Sequence, residues 1–168
     1  LRVFGTEEQK RTLLAAVLRG EVSMAHAFNE LEHGSDLSAN KTSAIRDGDD
    51  YVLNGHKNYI TCILHPDLIL CLAVTNPDAP PYQRFSVIAV DTNTDGVQIK
   101  PENLLVPERE FKFFFTNASA PRSQLVGHEG QGIKIAEFMI NIERQGISSV
   151  PLALQSAIEE EESRTNSS

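Results

Sequence analysis

The sequence predicts an α+β protein, with an antiparallel β-barrel or β-sandwich between a short N-terminal helix and a long C-terminal helix. Three observations support this prediction. Apolar residues recur at helical spacing near the start, about eight short strand-like runs follow with no helix between them, and helical spacing then returns. We therefore expect three parts, at 1–21, 22–121 and 122–168, of which the first and last are pieces of all-α domains that flank the β-domain.

The N-terminal helix is predicted by a start signal, an apolar stripe and a stop signal. Thr6 is a suitable N-cap, and Gln9 stands three residues later, as in a capping box. Gly20 ends the pattern. The stripe consists of Leu13, Leu14, Val17 and Leu18.

The middle of the chain consists of β-branched and aromatic runs separated by turn residues. Asp47-Gly48 and Asn54-Gly55 are dipeptides typical of tight hairpins, so we expect a turn at each. The runs predict strands at Met24–Asn29, Ser38–Arg46, Tyr51–Leu53, Lys57–Thr61, Leu68–Thr75, Phe85–Asp91, Val97–Ile99 and Glu110–Thr116.

The last part begins with a loop that contains Gly127, Gly130 and Gly132. A long helix is predicted to follow. Pro151 falls inside it and should kink or break it, and Glu159–Glu162 should fray.

Composition and charge exclude several classes of function. The chain has 15 basic and 23 acidic residues, a net charge of -8, which argues against nucleic acid or an anionic membrane as a partner. No apolar run approaches the roughly 20 residues of a membrane span.

Cysteines and histidines give no sign of a metal site. Cys62 and Cys71 lack metal-ligand spacing, and we expect both to pack as small apolar residues in a reducing compartment. No carboxylate is spaced to orient the histidines at 33, 56, 65 and 128, so we expect solvated loop residues there.

Four stretches, in order, resemble the acyl-CoA dehydrogenase family. Phe4–Lys10 is similar to the lead-in from its N-terminal helical domain, and Ala27–Asp36 to its first signature, which ends in Gly-Ser-Asp. Tyr51–Thr61 resembles its Asn-Gly-x-Lys-x-Trp-Ile-Thr stretch, and Leu125–Gly132 resembles its glycine loop. The four occur together at family-like spacings, so the chain is identified as a member of this family.

The resemblance implies FAD as cofactor, an acyl-CoA thioester as substrate and α,β-dehydrogenation as the reaction. In the family, the first signature faces the pyrimidine edge of the flavin, and the Trp-Ile-Thr stretch lies against the ring with its Thr hydroxyl near N5. The matching residues predict cofactor contacts at His26, Ala27, Phe28, Asn29, Glu30, Gly34, Ser35, Tyr59, Ile60 and Thr61.

Two departures from the family pattern concern this site. Asn29 stands where a hydroxyl residue is usual; its amide can still donate a hydrogen bond, with different geometry. Leu31–His33 replaces the usual Pro-Gly-Ala, which could narrow the site. The family further implies substrate contacts at Ser35, Asn141 and Arg144, with Asn141 in the place of an acidic residue.

No catalytic residue is assigned, because the family's general-base Glu would lie beyond Ser168. We expect the chain by itself neither to dehydrogenate acyl-CoA nor to bind FAD tightly. It is either a fragment or a shortened paralogue, in fatty acid β-oxidation or in a secondary-metabolite pathway.

Two other functions remain open: a flavin oxidase of the same fold, of the acyl-CoA oxidase or nitroalkane oxidase type, and a non-catalytic interaction module. The expected electron acceptor is electron-transfer flavoprotein or oxygen, and the family implies a homo-oligomer. It also implies an intracellular location, in the mitochondrial matrix, peroxisome or cytoplasm.

Overall fold

The predicted fold class is confirmed by the computed structural model, which describes residues 1–62, 65–102 and 110–146. The chain divides into two compact units, Leu1–Ala136 and Glu137–Ser168. The first contains a short N-terminal helix and a mostly antiparallel sheet, and a second helix covers residues 132–146. The predictions for Pro151 and Glu159–Glu162 lie outside the described residues.

The N-terminal helix begins with the predicted capping box. The Thr6 hydroxyl accepts the Gln9 N–H, and Gln9 Oε1 accepts the Thr6 N–H, each at 3.1 Å. The helix ends before Gly20, which has the positive φ expected of a stop signal (71°). Its segments are an α-helical turn Glu7–Gln9, a π-helical stretch Lys10–Leu14 and a second α-helical turn Ala15–Leu18.

The Gln9 side chain also attaches this helix to the sheet. Its Nε2 donates to the carbonyl oxygens of Ser123 (2.8 Å) and Leu125 (2.9 Å), and Gln9 is only 3% exposed. A helix this short gains most of its stability from such tertiary contacts.

The described residues form eight strands in one sheet. The sheet order is β6-β7-β3-β2-β4-β5-β8, with β1 joined to β4. Neighbouring strands are antiparallel except that β1 and β2 each pair with β4 in parallel. The strands are β1 Met24–Ala27, β2 Ser43–Asp47, β3 Asp50–Thr61, β4 Leu68–Val74, β5 Phe85–Asp91, β6 Val97–Pro101, β7 Glu110–Pro121 and β8 Leu125–Val126.

One of the two predicted hairpin turns is correct and the other is wrong. Asp47-Gly48 does connect β2 to β3, with Gly48 at φ 60°. Asn54-Gly55 lies inside β3, which continues unbroken from Asp50 to Thr61. A Cβ on Gly55 would lie 2.7 Å from the Thr42 hydroxyl oxygen, so this glycine serves a close approach of two backbone segments and not a turn.

The predicted strand Ser38–Arg46 begins only at Ser43. Leu37–Ala39 instead forms a single 3-10 turn, capped by the Asp36 carboxylate, which accepts the Ser38 N–H at 3.0 Å. The N–H groups of residues 41 and 42 donate to a side chain and not to a neighbouring strand, as described below. Strand β2 therefore begins at Ser43 and not at Ser38.

The hydrophobic core is built from buried residues of β1, β2, β3, β4, β5 and β7. β4 and β5 are buried on both faces, which explains their unbroken apolar sequences. β3 and β7 contribute alternate residues to the same core, including Tyr51, Leu53, Phe113 and Phe115. This alternation determines which β3 side chains reach the candidate site.

Candidate functional site

The site begins where the loop after β1 meets β3. The Asn58 N–H donates to the Asn29 carbonyl oxygen at 3.0 Å. This bond joins two predicted groups of cofactor residues, the run that starts at His26 and the Tyr59–Thr61 stretch. Segments some 30 residues apart in the sequence are therefore neighbours in the fold.

A β-bulge in β3 presents Tyr59 to the surface. Lys57 pairs with Phe113 and Ile60 with Phe111, so β3 carries one extra residue between these pairs. Tyr59 has φ 59°, in the left-handed region that a bulky residue rarely adopts, and it is 42% exposed. Such backbone strain occurs preferentially at functional sites.

The neighbours of Tyr59 differ in what they offer to a ligand. Thr61 is exposed, whereas Ile60 is buried in the core cluster, so only the backbone of Ile60 can meet a ligand. The Asn58 side chain is buried, and its Oδ1 has no hydrogen-bond partner among the residues that the structure describes. A buried amide oxygen without a partner marks a polar position that a ligand or water can satisfy.

A buried ion pair lies beneath this junction. Lys57 Nζ is 3.1 Å from Glu30 Oε1, and the two side chains are 0% and 1% exposed. The Glu30 carboxylate also accepts the N–H groups of Lys41 and Thr42, each at 2.8 Å. Lys57 Nζ lies 3.4 Å from the Phe28 carbonyl oxygen as well. The pair therefore connects three separate chain segments.

The charges of this pair follow from its surroundings. Burial by itself would raise the pKa of Glu30, but the Lys57 ammonium and the backbone N–H donors outweigh it and lower the pKa to about 2. Burial lowers the pKa of Lys57 from its ordinary value, although Glu30 favours the charged form. Burial also raises the pKa of nearby Cys71 to about 11, so this residue remains a neutral thiol.

The residues that replace the small family tripeptide form a closed turn. The Glu30 N–H donates to the His33 carbonyl oxygen (2.9 Å), and the His33 N–H donates to that of Glu30 (3.1 Å). A Glu32 carboxylate oxygen lies 3.5 Å from His56 Nε2. The expectation of a solvated loop residue is wrong for His56, because His56 lies within β3 and its side chain is only 34% exposed. The fold, and not sequence spacing, brings the Glu32 carboxylate near it.

The Gly-Ser-Asp stretch follows this turn. A Cβ added at Gly34 would meet no atom within 4 Å, so the backbone there is open to a ligand. Ser35 is exposed, and Asp36 makes the side-chain cap already described.

The glycine loop is fastened to the sheet at the opposite end of β3. Gly130 donates its N–H to Ser86 Oγ (3.1 Å), and the Tyr51 hydroxyl donates to the Glu129 carboxylate. Burial, followed by the bond to Glu129, raises the pKa of Tyr51 to about 12. A Cβ on Gly132 would lie 2.6 Å from the Phe85 backbone, so only glycine fits there.

Two predicted substrate residues, Asn141 and Arg144, lie in the helix over residues 132–146, within the second unit. Both are exposed, and a spacing of three residues places them on one face of that helix. None of the helices among the described residues is long and apolar enough to cross a membrane.

Comparison with known proteins identifies the family. Residues 25–116, more than half of the chain, match the family model described as "Acyl-CoA dehydrogenase, middle domain". The chain belongs to the acyl-CoA dehydrogenase family.

Individual acyl-CoA dehydrogenases are similar over most of this chain. It is 34% identical to an acyl-CoA dehydrogenase of Bacillus subtilis, over 92% of this chain and 41% of the relative. It is 30% identical to acyl-CoA dehydrogenase FadE26 of Mycobacterium tuberculosis, over 89% of this chain and 38% of the relative. The chain thus spans about two fifths of the length of these relatives.

A crystal structure of acyl-CoA dehydrogenase from Geobacillus kaustophilus is similar in three dimensions. It gives a TM-score of 0.80 at 35% identity, over 85% of this chain and 39% of that one. The resemblance found in the sequence is therefore confirmed, and so is the fold that it implies.

Sequence reasoning missed one part of the candidate site in this member of the acyl-CoA dehydrogenase family. It assigned Glu30 to the cofactor, but the Glu30 side chain lies in the buried pair with Lys57, which had been given no role. A signal was available: alternation from Tyr51 and Leu53 places residue 57 on the core side of β3. A lysine on that side requires an acidic partner.

Proposed function

We propose that this chain provides the FAD-binding, hydride-accepting half of an acyl-CoA dehydrogenase. The observation that carries the proposal is the Asn58–Asn29 hydrogen bond, which joins the strained bulge at Tyr59 to the loop of the first signature. In the family, these two segments face the flavin.

The described residues fit a flavin. Tyr59 offers an open aromatic ring, Gly34 leaves room for close approach, and the buried Asn58 Oδ1 is an unused acceptor in this part of the chain. A flat, polar-edged aromatic ligand needs these three features: a stacking surface, space beside the backbone and convergent polar groups.

Each residue has a proposed task. The Tyr59 ring packs against the ring system, the Thr61 hydroxyl donates near its central nitrogen, and the Asn29 N–H and side-chain amide donate to its pyrimidine edge. FAD, when bound, would accept the hydride from the β-carbon of the acyl-CoA. Donors at the edge that gains negative charge favour that transfer.

The other assignments follow the family. Ser35, Asn141 and Arg144 are proposed to hold the acyl-CoA, and His26–Glu30 to line the cofactor loop. We further propose α,β-dehydrogenation as the overall reaction, electron-transfer flavoprotein or oxygen as the acceptor, and a homo-oligomer as the assembly. The same scheme assigns 1–21, 22–121 and 122–168 to the three domains of the family.

Flavin titration of a Tyr59→Ala variant tests the proposal. Loss of one stacked ring should weaken FAD binding roughly three- to tenfold. Binding is measured by quenching of flavin fluorescence, and Tyr82→Ala is the matched control, because Tyr82 is an exposed tyrosine in the Pro81–Gln83 turn. Equal weakening by both substitutions, or no binding by the unmodified chain, would contradict the proposal.

A further inference from the structure

We propose that the buried Glu30–Lys57 pair is a positioning device for the cofactor loop: it orients the peptide between Phe28 and Asn29 so that the Asn29 N–H faces the flavin. The inference rests on the proposed function and deepens it. Neither side chain touches the cofactor in this scheme, and both act through the backbone.

The geometry begins with the Phe28 carbonyl oxygen, which is turned into the protein. It accepts a hydrogen bond from Asn40 Nδ2 at 2.6 Å and lies 3.4 Å from Lys57 Nζ. In a trans peptide the C=O and the following N–H point in opposite directions. Because the Phe28 carbonyl points towards Asn40 and Lys57, the Asn29 N–H points away from these two side chains.

The next carbonyl is held as well. The Asn29 oxygen accepts the Asn58 N–H at 3.0 Å, so the peptides on both sides of Asn29 are fixed. No backbone hydrogen bond engages the Asn29 N–H within the described ranges. The pyrimidine edge of a flavin gains negative charge when the flavin accepts a hydride. A hydrogen-bond donor held next to the bulge of Tyr59 and aimed at that edge would stabilise this charge.

Glu30 holds the chain segment that carries Asn40. Its carboxylate accepts the N–H groups of Lys41 and Thr42 while it binds Lys57, and Asn40 directly precedes them. The ion pair thus aligns Lys57 and Asn40, the two donors that face the Phe28 carbonyl. Removing the Lys57 charge takes away one of these donors, and removing the Glu30 charge releases the segment that carries the other, so either change loosens the hold on that carbonyl.

Stability does not by itself explain a charged pair at this position. Burying two charges costs more desolvation than a packed apolar pair, and replacing both partners by apolar side chains is often neutral or stabilising. Removing one partner leaves an uncompensated buried charge and destabilises strongly. A comparison of single and double substitutions can therefore separate a positioning role of the pair from a stabilising one.

The test compares single and double substitutions in the 168-residue chain. Glu30→Met or Lys57→Met should lower the thermal midpoint, and the double variant should recover it. FAD affinity, measured by flavin fluorescence, should remain weakened about tenfold in the double variant, the loss expected for one misaligned hydrogen bond. The matched control is Glu102→Met with Lys112→Met, which removes a partly buried ion pair between the residue that follows β6 and strand β7.

The outcomes are distinct. Recovery of both the midpoint and FAD affinity in the double variant overturns the inference and leaves the proposed function standing. No FAD binding by the unmodified chain overturns the proposed function and the inference with it. Should the double variant not fold, Glu30→Gln decides.

For Glu30→Gln we expect weaker FAD binding together with faster hydrogen exchange at the Asn58 amide. Exchange at β4 amides should be unchanged, which excludes a general loss of structure. Unchanged FAD affinity and unchanged Asn58 exchange in Glu30→Gln overturn the inference.

Discussion

Glu30 shows at the residue scale how one side chain can serve several segments. Its carboxylate accepts two backbone N–H groups and the Lys57 ammonium, although it is 1% exposed. A buried carboxylate is tolerated only when its acceptor positions are filled in this way. The same contacts make the fold sensitive to acid.

We predict that acid removes the contribution of Glu30 to stability. The pKa in the folded protein is about 2, below the ordinary value of 4.5, so the stabilisation is present above that ordinary value. It is lost as the pH falls towards 2 and amounts to about 3 kcal/mol. Thermal midpoints of the unmodified chain and of Glu30→Gln, measured by circular dichroism from neutral pH downwards, should therefore converge in acid.

Glu32→Gln is the control for this prediction, because Glu32 is half exposed and lies in the same loop. A constant gap between the unmodified chain and Glu30→Gln at every pH would show that the Glu30 charge contributes nothing to stability.

At the scale of elements, β3 shows how a strand overrides a local turn signal. Asn54-Gly55 is a strong hairpin dipeptide, yet β7 pairs with β3 on both sides of it. Opposite this dipeptide, β7 carries one residue more than β3 and forms a bulge. In the bulge, Asn117 has φ 50° and donates its N–H to Asn54 Oδ1 at 2.9 Å. Pairing over a long strand outweighs the preference of one dipeptide.

Gly55 should therefore tolerate substitution less than a true turn glycine. Gly55→Ala should destabilise by about 2–5 kcal/mol, because φ is 137° and the new Cβ would meet the Thr42 backbone at 2.8 Å. Gly48→Ala, in the open β2–β3 turn, should lose only about 1 kcal/mol. Urea unfolding measures both, and equal losses would contradict the close approach seen at Gly55.

The connection from β5 to β6 gives a second example at this scale. Residues 91–96, with Glu102, follow the pattern of calcium-binding loops. In the structure, the five residues of strand β6 lie between Gly96 and Glu102, and Glu102 pairs with Lys112 at 2.7 Å. Among the described residues, no group of three or more His, Cys, Asp or Glu side chains could hold a metal ion.

At the scale of the molecule, Gln9 links segments that are far apart in the sequence. It closes the capping box of the N-terminal helix and binds the carbonyl oxygens of Ser123 and Leu125. The helix and the segment leading into the glycine loop are thereby held together within the first unit.

Gln9→Ala should release this link. We expect a loss of about 1–3 kcal/mol, since two carbonyl groups lose their donor, and faster hydrogen exchange in Glu7–Leu18. Gln98→Ala on the exposed face of β6 is the control. Unchanged exchange in the helix after Gln9→Ala would mean that other contacts hold it.

The sequence by itself determined the family, the fold class and most element positions. These follow from local signals: the capping box at Thr6, the unbroken apolar runs of β4 and β5, the glycine loop and the ordered family motifs. Hydrophobic periodicity and turn-forming residues depend on a few neighbouring positions, so they can be recognised in the sequence without knowledge of the fold.

The tertiary structure decided what those signals mean in three dimensions. It made Asn54-Gly55 part of a strand, brought Glu32 to His56, and placed Lys57 against Glu30 under the loop of Asn29. Each depends on contacts between residues distant in the sequence, whose free energy exceeds local preference. The family was thus readable from the residues, whereas the buried pair proposed to orient the cofactor loop emerged only from packing.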